Sequence, residues 1–493
     1  MTDTVTSIIP LLAVLVSLAA VVPILLSRKR PNLREGWTFA AGLTKLGLVY
    51  AMVGPVLSGK VLTYRLVEVM PGISVAFRVD AMGLLFALVA SILWLATTAY
   101  AIGYMRGLNE HSQTRFFSFF AVALSATIGV AFAANLFTLY LFYEMLSLAT
   151  YPLVTHHQDQ EARMSGRKYL TYILGTSIGL VLPAMIITYH LTGTLEFSPG
   201  GILAGHVSGP LLTMLILMFV LGFAKAAIMP MHGWLPAAMV APTPVSALLH
   251  AVAVVKVGAF SIFRVMTGIF GTGFLLSQHQ NQLIIILAAV TVITASLIAL
   301  TQDGLKRRLA FSTIGQLSYI ILGAALLSPK GMLGGLLHIA MHAFGKITLF
   351  FCAGAIFVAT GKKNISEMAG IGRRMPITMI AFLIGAMSVI GLPPTGGFIS
   401  KWYLVLGTLE ADQPLMLAVL LGSSLLNAAY FMPVFYRAFF CPPEESGFAD
   451  RFNEAPVWCV APLVFSSLMS LGLFFYPQPF FNLARLAVQA FTG

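Results

Sequence analysis

Charged residues are scarce in this sequence. Only 9% of its 493 residues are Asp, Glu, Lys or Arg, whereas 58% are hydrophobic and the mean hydropathy is +0.90. This composition excludes a soluble domain and predicts an integral membrane protein. Cysteine is rare as well: Cys352, Cys441 and Cys459 are widely separated and lack metal-ligand spacing, so we interpret them as apolar fillers and expect no metal site.

The sequence also lacks a nucleotide-binding loop. Gly345-Lys346 is the nearest candidate, but Ala340 and Ile347 occupy the positions of the earlier glycine and the following Ser or Thr. This argues against an ATP-driven pump, and no cofactor is expected.

Long apolar stretches fill most of the chain. A helix of about 20 apolar residues spans a bilayer, and hydropathy divides the sequence into about fourteen such segments, which predicts an all-α membrane protein. The connections are short, so no soluble domain is expected, and the longest polar one, Cys441 to Pro456, is interpreted as a solvated loop or partner contact. The first span lacks a basic flank and a cleavage site and is treated as a retained helix. The predicted spans are near 6–27, 37–58, 79–104, 116–132, 134–155, 168–192, 210–239 with a break, 244–266, 281–301, 309–327, 331–359, 376–409 with a break, 413–439 and 456–477.

Basic residues are distributed unequally between the two ends of the spans. Of the 29 Lys and Arg, 18 fall in or near connections that follow odd-numbered spans, including Arg451 in the last connection. The positive-inside rule therefore predicts that both termini face outward. The net charge of +12 is interpreted as topology and contact with anionic lipid, and no nucleic-acid partner is expected.

Five ionisable side chains lie inside the apolar spans. A central Lys or Asp costs about 2.5 to 3.5 kcal/mol on insertion scales, so several in one chain indicate an ion path. Glu144 is the only acid well inside a span; ionised, it needs a nearby cation, for which Lys225 is the natural candidate, and the alternative is a protonated acid bonded to a carbonyl. The five are Glu144, Lys225, Lys256, Lys346 and Lys401.

Two spans combine a proline break with a lysine. Lys225 precedes Pro230 and Pro236, and Lys401 follows Pro393-Pro394. Broken helices at corresponding places in two halves indicate an inverted-repeat transporter with its ion path at the breaks, although ordinary kinks are the alternative. Because Lys225 would lie at the carboxyl end of a half-helix and Lys401 near the start of one, we expect Lys401 to lose its proton more readily.

Histidines accompany the remaining lysines. His338, His342 and Lys346 recur every four residues and form a stripe about 12 Å long that could relay protons; neutral, structural histidines are the alternative. His250 and Lys256 would lie about 120° apart on an ideal helix, and Lys256 could instead snorkel. Lys45, nearer the end of its span, is interpreted as a snorkelling residue.

Several long motifs resemble one family. Residues 225–250, 305–319 and 391–401 resemble the signature of the antiporter-like membrane subunits of respiratory complex I, membrane-bound hydrogenases and Mrp-type cation/proton antiporters. The resemblance covers essentially the whole chain and is greatest to the D-type subunit of the Mrp antiporters, since Ala237 replaces the Asp usual in respiratory relatives and Lys401 is a lysine. It implies fourteen helices with two inverted five-helix repeats, helices 4–8 and 9–13, and discontinuous helices 7 and 12.

The resemblance also implies a division of the chain and a set of functional residues. The segments are 1–115 with three helices, 116–266 and 281–440 with one repeat each, and 441–493 with a loop and the last span. The family's buried residues fall on Glu144, Lys225, His250, Lys256, Lys346 and Lys401, and His338 and His342 complete the predicted proton path.

The sequence thus predicts a proton-translocating subunit of a multisubunit Na⁺/H⁺ antiporter. Other membrane subunits, protons, a monovalent cation and lipid are the expected partners, and a bacterial inner membrane is the expected location. Two alternatives remain: a proton-pumping subunit of a quinone oxidoreductase or hydrogenase, and a scaffold whose charges only hold helices together.

Overall fold

Long apolar helices dominate the structure, a computed structural model that describes residues 4–443 and 452–492. Ten of the described helices are long and apolar enough to cross a membrane. The helices named α5 and α10 below and two interrupted spans complete the predicted set of about fourteen. The main helices are α1 Ile9–Leu26, α2 Pro31–Leu57, α3 Ala81–Gly107, α4 Gln113–Ala131, α5 Leu136–Val154, α6 Gln160–Thr192, α7a Gly209–Gly222, α7b Trp234–Ala237, α8 Thr243–Phe270, α9 Asn281–Thr301, α10 Leu305–Ala325, α11 Pro329–Thr360, α12a Pro376–Ile390, α12b Gly396–Glu410, α13 Pro414–Phe440, α14 Val457–Phe475 and α15 Gln478–Thr492.

The seventh and twelfth spans are discontinuous, as predicted. Span 7 is interrupted between α7a and α7b, and span 12 between α12a and α12b. The two breaks are five spans apart, which is the offset between the predicted repeats α4–α8 and α9–α13. The all-α fold predicted from the sequence is therefore confirmed.

Two helices begin at least six residues earlier than hydropathy predicts. α2 starts at Pro31 instead of 37, and α6 starts at Gln160 instead of 168. Their first turns carry charges such as Arg34 and Arg163, and a hydropathy window detects only the part of a helix that can lie in hydrocarbon.

A small sheet precedes the third span and was not predicted. β1 (Thr4–Thr6) pairs in parallel with β2 (Val61–Met70), which pairs antiparallel with β3 (Ile73–Val79). The two longer strands are joined by Pro71-Gly72, with Gly72 at φ +75°, and β2 alternates apolar and polar side chains in part. A proline-glycine pair between two such runs is a hairpin signal, which the interpretation as membrane spans did not take into account.

The interior of the bundle is formed by three helices. α8 is wholly buried through its most apolar 18 residues, α3 nearly so, and in α11 every residue from Gly331 to Ile356 is buried. In contrast, only 33 to 39% of the most apolar 18 residues are buried in α1, α2, α6 and α13, as in lipid-facing helices. The predicted ion-path residues on α8 and α11 therefore lie at the centre of the protein.

Connections that follow odd-numbered spans meet at one end of the bundle, called the basic end. Residues from four of them, Glu110, His157, Gly304 and Lys362, line one shared cavity there. The sheet and the amphipathic α15 belong to the other end, where Thr272 donates to the carbonyl of Phe491.

The last long connection is only partly described. Glu444, Glu445, Asp450 and Arg451 of the predicted polar loop lie outside the described residues. Glu454 accepts hydrogen bonds from the backbone N–H groups of Ile377 and Thr378 at 2.8 and 3.2 Å. The carboxylate thus satisfies donors at the start of α12a, where it also complements the helix dipole.

The structure changes the interpretation of two residues, Lys45 and Cys441. Lys45 does not snorkel: it is fully buried, its Nζ donates to Ser17 Oγ, and it lies 4.9 Å from the ring centroid of Trp94. Cys352 and Cys459 are buried as expected, whereas Cys441 is half-buried.

Candidate functional site

Lys225 lies immediately after the end of α7a. It belongs to a single 3₁₀ turn, Ala224–Ala226, and is fully buried. Its Nζ donates to the Tyr143 carbonyl oxygen and to Ser147 Oγ, both at 2.7 Å, and lies 3.1 Å from the centroid of the Tyr143 ring. The amine is thus bound by α5, the helix that also carries Glu144.

Glu144 makes no ion pair with Lys225 in this structure. The residue is half-buried, yet both carboxylate oxygens are buried and have no hydrogen-bond partner. Neither expected arrangement is therefore present: the carboxyl group touches neither the Lys225 amine nor a neighbouring carbonyl. A buried carboxyl without partners is costly, so a nearby cation would stabilise Glu144.

A glycine on α8 allows the first break to pack. A Cβ on Gly258 would collide with the backbone N of Ala226 and the carbonyl carbon of Lys225. Only glycine permits this approach of the two backbones, which joins the Lys225 turn to the helix of Lys256.

The eighth span is itself interrupted, between His250 and Lys256. Its helix runs Thr243–Ala251 and resumes at Val254–Val265, with Val252 and Ala253 outside helical geometry. The 120° separation expected for an unbroken helix therefore does not apply. The interruption contains neither proline nor glycine, so nothing in the local sequence announces it.

His250 and Lys256 have different environments. Both nitrogens of His250 are buried without a hydrogen-bond partner, and its ring lies 4.7 Å from that of Phe350. Lys256 is buried and its Nζ lies 2.9 Å from His342 Nδ1. Snorkelling is therefore wrong for Lys256.

The stripe on α11 forms as predicted and contacts three other helices. His338 stacks on His342 with ring centroids 5.5 Å apart. His338 Nδ1 is 2.9 Å from Ser400 Oγ and its Nε2 is 3.1 Å from Gln316 Oε1. One turn beyond His342, Lys346 Nζ donates to Ser312 Oγ at 2.8 Å.

Lys401 closes the second break. It is the sixth residue of α12b, yet its Nζ donates to the carbonyl of Ile390, the last residue of α12a, at 2.9 Å, and to Ser424 Oγ at 3.1 Å. The amine thus meets the negative end of a half-helix, where positive charge is favoured. The premise of the predicted contrast in proton affinity is therefore wrong, because the long side chain reaches back across the break.

Hydroxyl and amide side chains connect the buried lysines and histidines into two rows of contacts, and the sequence analysis did not identify these side chains. The Tyr319 ring lies 5.5 Å from that of His338 and 4.8 Å from Lys401 Nζ, and its hydroxyl donates to Ser423 at 2.7 Å. From Lys346, a second line runs through Ser312 to the Tyr430 hydroxyl at 2.9 Å. Polar residues within apolar spans were the signal for these positions, although Ser and Thr recur too often in such spans to be singled out. The missed residues are Tyr143, Ser147, Ser312, Gln316, Tyr319, Ser400, Ser424 and Tyr430.

The shared cavity at the basic end has a volume of about 890 Å³. None of the eight predicted path residues lines it. The lining residues nearest to the centre of the bundle are Thr243 on α8 and Ala353 on α11. Thr243 is seven residues from His250, and Ala353 is seven residues from Lys346, which is about 10 Å along a helix in each case. A closely packed layer that contains His250 and Phe350 therefore lies between this cavity and the buried lysines.

The sequence matches two described protein families. Residues 133–427 match the family described as NADH:quinone oxidoreductase/Mrp antiporter, TM, and residues 71–117 match the N-terminus of chain 5 of NADH-ubiquinone oxidoreductase (complex I). The first match covers more than half of the chain and includes all eight predicted path residues.

Curated relatives include members of two kinds of complex. The N-type subunit of the NADH-quinone oxidoreductase of Desulforudis audaxviator is 35% identical, over 95% of this chain and 96% of its own length. A Na⁺/H⁺ antiporter subunit from Alkalihalophilus pseudofirmus is 30% identical over 85% of this chain and 55% of its own length. The chain therefore spans about half of the antiporter relative.

Two solved structures share the fold. The Mrp complex of Dietzia sp. DQ12-45-1b contains a chain with a TM-score of 0.84 and 22% identity, over 98% of this chain and all of that one. The membrane-bound sulfane sulfur reductase, an archaeal respiratory membrane complex, contains one with a TM-score of 0.88 and 24% identity, over 98% of each chain.

Proposed function

The chain belongs to the family of NADH:quinone oxidoreductase and Mrp antiporter membrane subunits, and we propose that it translocates protons as one subunit of a multisubunit monovalent cation/proton antiporter. The observation that carries the proposal is the buried contact line from Lys256 through His342 and His338 to Ser400, Tyr319 and Lys401. Ionisable side chains at the centre of a membrane bundle cost free energy. A row of groups that can exchange protons, as here, is therefore typical of a proton pathway.

In the proposed path, His250 connects the basic-end cavity with the centre. Its ring lies in the packed layer, and neither nitrogen has a protein partner, so a rotation could bring it toward the cavity or toward the buried lysines. Protons then pass along Lys256, Lys346, His342 and His338 to Lys401, which delivers them to the opposite side or to a neighbouring subunit.

Glu144 and Lys225 form the proposed coupling pair. Lys225 is held by the carbonyl of Tyr143 and by Ser147, while the adjacent Glu144 carboxyl is unpaired. Transfer of the amine between these oxygens and the carboxylate would change the charge balance at the first break.

The test is exchange activity of Glu144→Gln in everted vesicles. The substitution keeps the shape of the side chain but removes the charge that the amine needs as its alternative partner, so we expect exchange to be lost while the complex still assembles. Glu68→Gln, an exposed change on β2, is the matched control. Wild-type exchange by Glu144→Gln would refute the pairing.

A redox-coupled complex is the second candidate. It is favoured by the 35% identity, over nearly the full length of both chains, to the N-type subunit of a NADH-quinone oxidoreductase. Purification of the native complex separates the two: flavin or iron-sulfur subunits would indicate a redox-driven pump, and small membrane subunits alone would indicate the antiporter, with Na⁺ as the proposed cation. Full activity with Lys225 and Lys401 both changed to Ala would instead support the scaffold alternative.

The proposed setting is a bacterial inner membrane with both termini outside and with segment boundaries at 115, 266–281 and 440. The excess of basic residues in the connections at the basic end supports this orientation. Labelling single cysteines placed in the α3–α4 and β2–β3 connections with an impermeant reagent tests it: only the second should react from outside.

A further inference from the structure

Four side chains converge where two connections meet at the basic end. Glu110 and His111 follow α3, and His156 and His157 follow α5. One oxygen, Glu110 Oε2, lies 3.8 Å from His111 Nδ1, 3.8 Å from His156 Nε2 and 3.7 Å from His157 Nδ1. The ligating atoms of Glu110, His111 and His157 are all within 4.8 Å of one another. Three nitrogens thus surround a single carboxylate oxygen, although none is at hydrogen-bond distance from it.

His111 is oriented as a metal ligand would be. Its Nε2 lies 3.0 Å from the carbonyl oxygen of His156, and since a carbonyl only accepts, Nε2 carries the hydrogen. In the neutral ring Nδ1 therefore holds a lone pair, and Nδ1 is the nitrogen that faces Glu110. Histidines that bind metal usually donate their other N–H to a carbonyl or carboxylate, which fixes the ring and the tautomer.

His156 is the second, independent observation. Its side chain has no exposed surface, and neither ring nitrogen has a hydrogen-bond partner. Buried polar groups normally have partners, so an unsatisfied imidazole that points at a carboxylate needs an explanation. The Arg115 guanidinium donates to the His156 carbonyl at 2.8 Å.

The distances suit a small cation with tetrahedral preference. Bonds of about 2.0 to 2.2 Å in a tetrahedral site imply ligand-to-ligand distances of about 3.3 to 3.6 Å. The three distances to Glu110 Oε2 exceed this range by a few tenths of an ångström, and the ligating atoms of Glu110, His111 and His157 lie within 4.8 Å of one another. Rotation of the half-exposed rings of His111 and His157 can shorten these separations. Nitrogen donors favour Zn²⁺ and related transition metals over Mg²⁺ or Ca²⁺, which prefer oxygen.

We propose that Glu110, His111, His156 and His157 form a binding site for a divalent transition-metal ion of the Zn²⁺ class. The alternative is a set of histidine–glutamate pairs that only hold the two connections together. A bound metal would clamp the α3–α4 connection to the α5–α6 connection at the rim of the basic-end cavity, which Glu110 and His157 line.

One consequence rests on the proposed function. α5 carries Glu144 and both oxygen acceptors of Lys225, so clamping its carboxyl end would slow proton transport. Binding itself does not depend on that function, and a variant that cannot transport, such as Glu144→Gln, should still bind metal.

The test uses the purified full chain, stripped of metal, and titrates it with Co²⁺ and then Zn²⁺. We expect one Co²⁺ per chain with the visible absorption of a four-coordinate site, displaced by one Zn²⁺. His111→Gln and His157→Gln, on half-exposed side chains, should each weaken affinity by roughly tenfold or more. The matched control is His206→Gln, an exposed histidine at the other end of the bundle, which should bind as the native chain does.

The outcomes that would overturn the proposal are specific. Absence of stoichiometric binding in the native chain, or equal affinity in the His111→Gln/His157→Gln double variant, would leave only histidine–glutamate pairing. An equal loss in His206→Gln would show nonspecific binding. His156→Gln is not used alone, because its buried position could disturb folding.

Discussion

The two lysine-bearing breaks use the same kind of site in different ways. Lys225 and Lys401 are each held by one backbone carbonyl and one serine hydroxyl. For Lys225 both acceptors belong to the unbroken neighbouring helix α5. The carbonyl that holds Lys401 belongs to Ile390, the last residue of α12a, which is the first half of the same interrupted span. Release of Lys401 would therefore loosen its own break, while release of Lys225 would alter the helix of Glu144.

The two breaks also differ in their connection to the centre. Lys401 faces Tyr319, which contacts His338 in the middle of the bundle. The Lys225 turn packs against the helix of Lys256 at the backbone of Gly258, and no hydrogen bond between the two lysines or from Lys225 to His342 or His338 is seen among the described residues. Proton passage thus has a continuous route in the second half, and the first half is better suited to coupling by charge.

The largest expected effect on proton transport is from removal of the charge of Lys225 or of Lys401. Lys225→Met and Lys401→Met should each reduce proton transport by at least about tenfold, or 1.4 kcal/mol in the barrier, because the substituted side chain cannot carry a proton. Transport in reconstituted vesicles measures this, with Lys330→Met as the exposed control. If only one substitution had an effect, the two breaks would not be functional counterparts.

The next effect concerns the close approach at the first break. Gly258→Ala should destabilise the protein by about 1 to 3 kcal/mol, the usual range for overpacking, and should impair transport, since the added methyl displaces the Lys225 turn. Thermal unfolding and transport are compared with Gly273→Ala, whose Cβ would meet nothing within 4 Å. Identical behaviour of the two variants would argue against the tight contact.

A third prediction concerns the packed layer that contains His250 and Phe350. Phe350→Ala should admit water beside His250 and raise passive proton leak, measured with a pH-sensitive dye in vesicles. Phe344→Ala, which opens a similar cavity against Phe480, is the matched control because a phenylalanine-to-alanine change costs about 3 to 5 kcal/mol at either place. Equal leak in both variants would mean that general loosening, not this layer, sets the barrier.

The smallest effects should come from single hydroxyl groups. Ser147→Ala and Ser400→Ala each remove one partner, of Lys225 and of His338, worth about 1 kcal/mol or roughly fivefold in rate. We expect transport to fall by that order in both, measured as initial rates. Ser118→Ala, whose buried hydroxyl has no partner, should leave the rate unchanged; a similar decrease there would assign the effect to packing.

Much of this fold could be predicted because the bilayer permits few solutions. Apolar stretches of span length must be helices, since an unpaired backbone in lipid is too costly. Proline marked the interruptions of spans 7 and 12, and charge marked Lys225, Lys256, Lys346 and Lys401 as interior residues. The His338 stripe followed from helical periodicity alone.

Other features depend on contacts between segments remote in the chain. The serine and tyrosine partners resemble many other polar residues until neighbouring helices bring them to a lysine. The interruption at Val252–Ala253 has no proline or glycine. The metal ligands come from two connections some 45 residues apart, and Lys45 is buried because α1 and α3 cover it.

By itself, the sequence determined that this protein is a bundle of about fourteen membrane helices with ionisable groups inside and two lysine-bearing breaks, because hydropathy, proline and charge act locally. Only the tertiary structure decided which groups touch: that Lys401 reaches back across its own break, that Glu144 makes no ion pair with Lys225, and that His250 lies in a closely packed layer. The physical reason is that the amine of a long side chain can reach several hydrogen-bond acceptors. Which acceptors lie within reach depends on how the neighbouring helices pack.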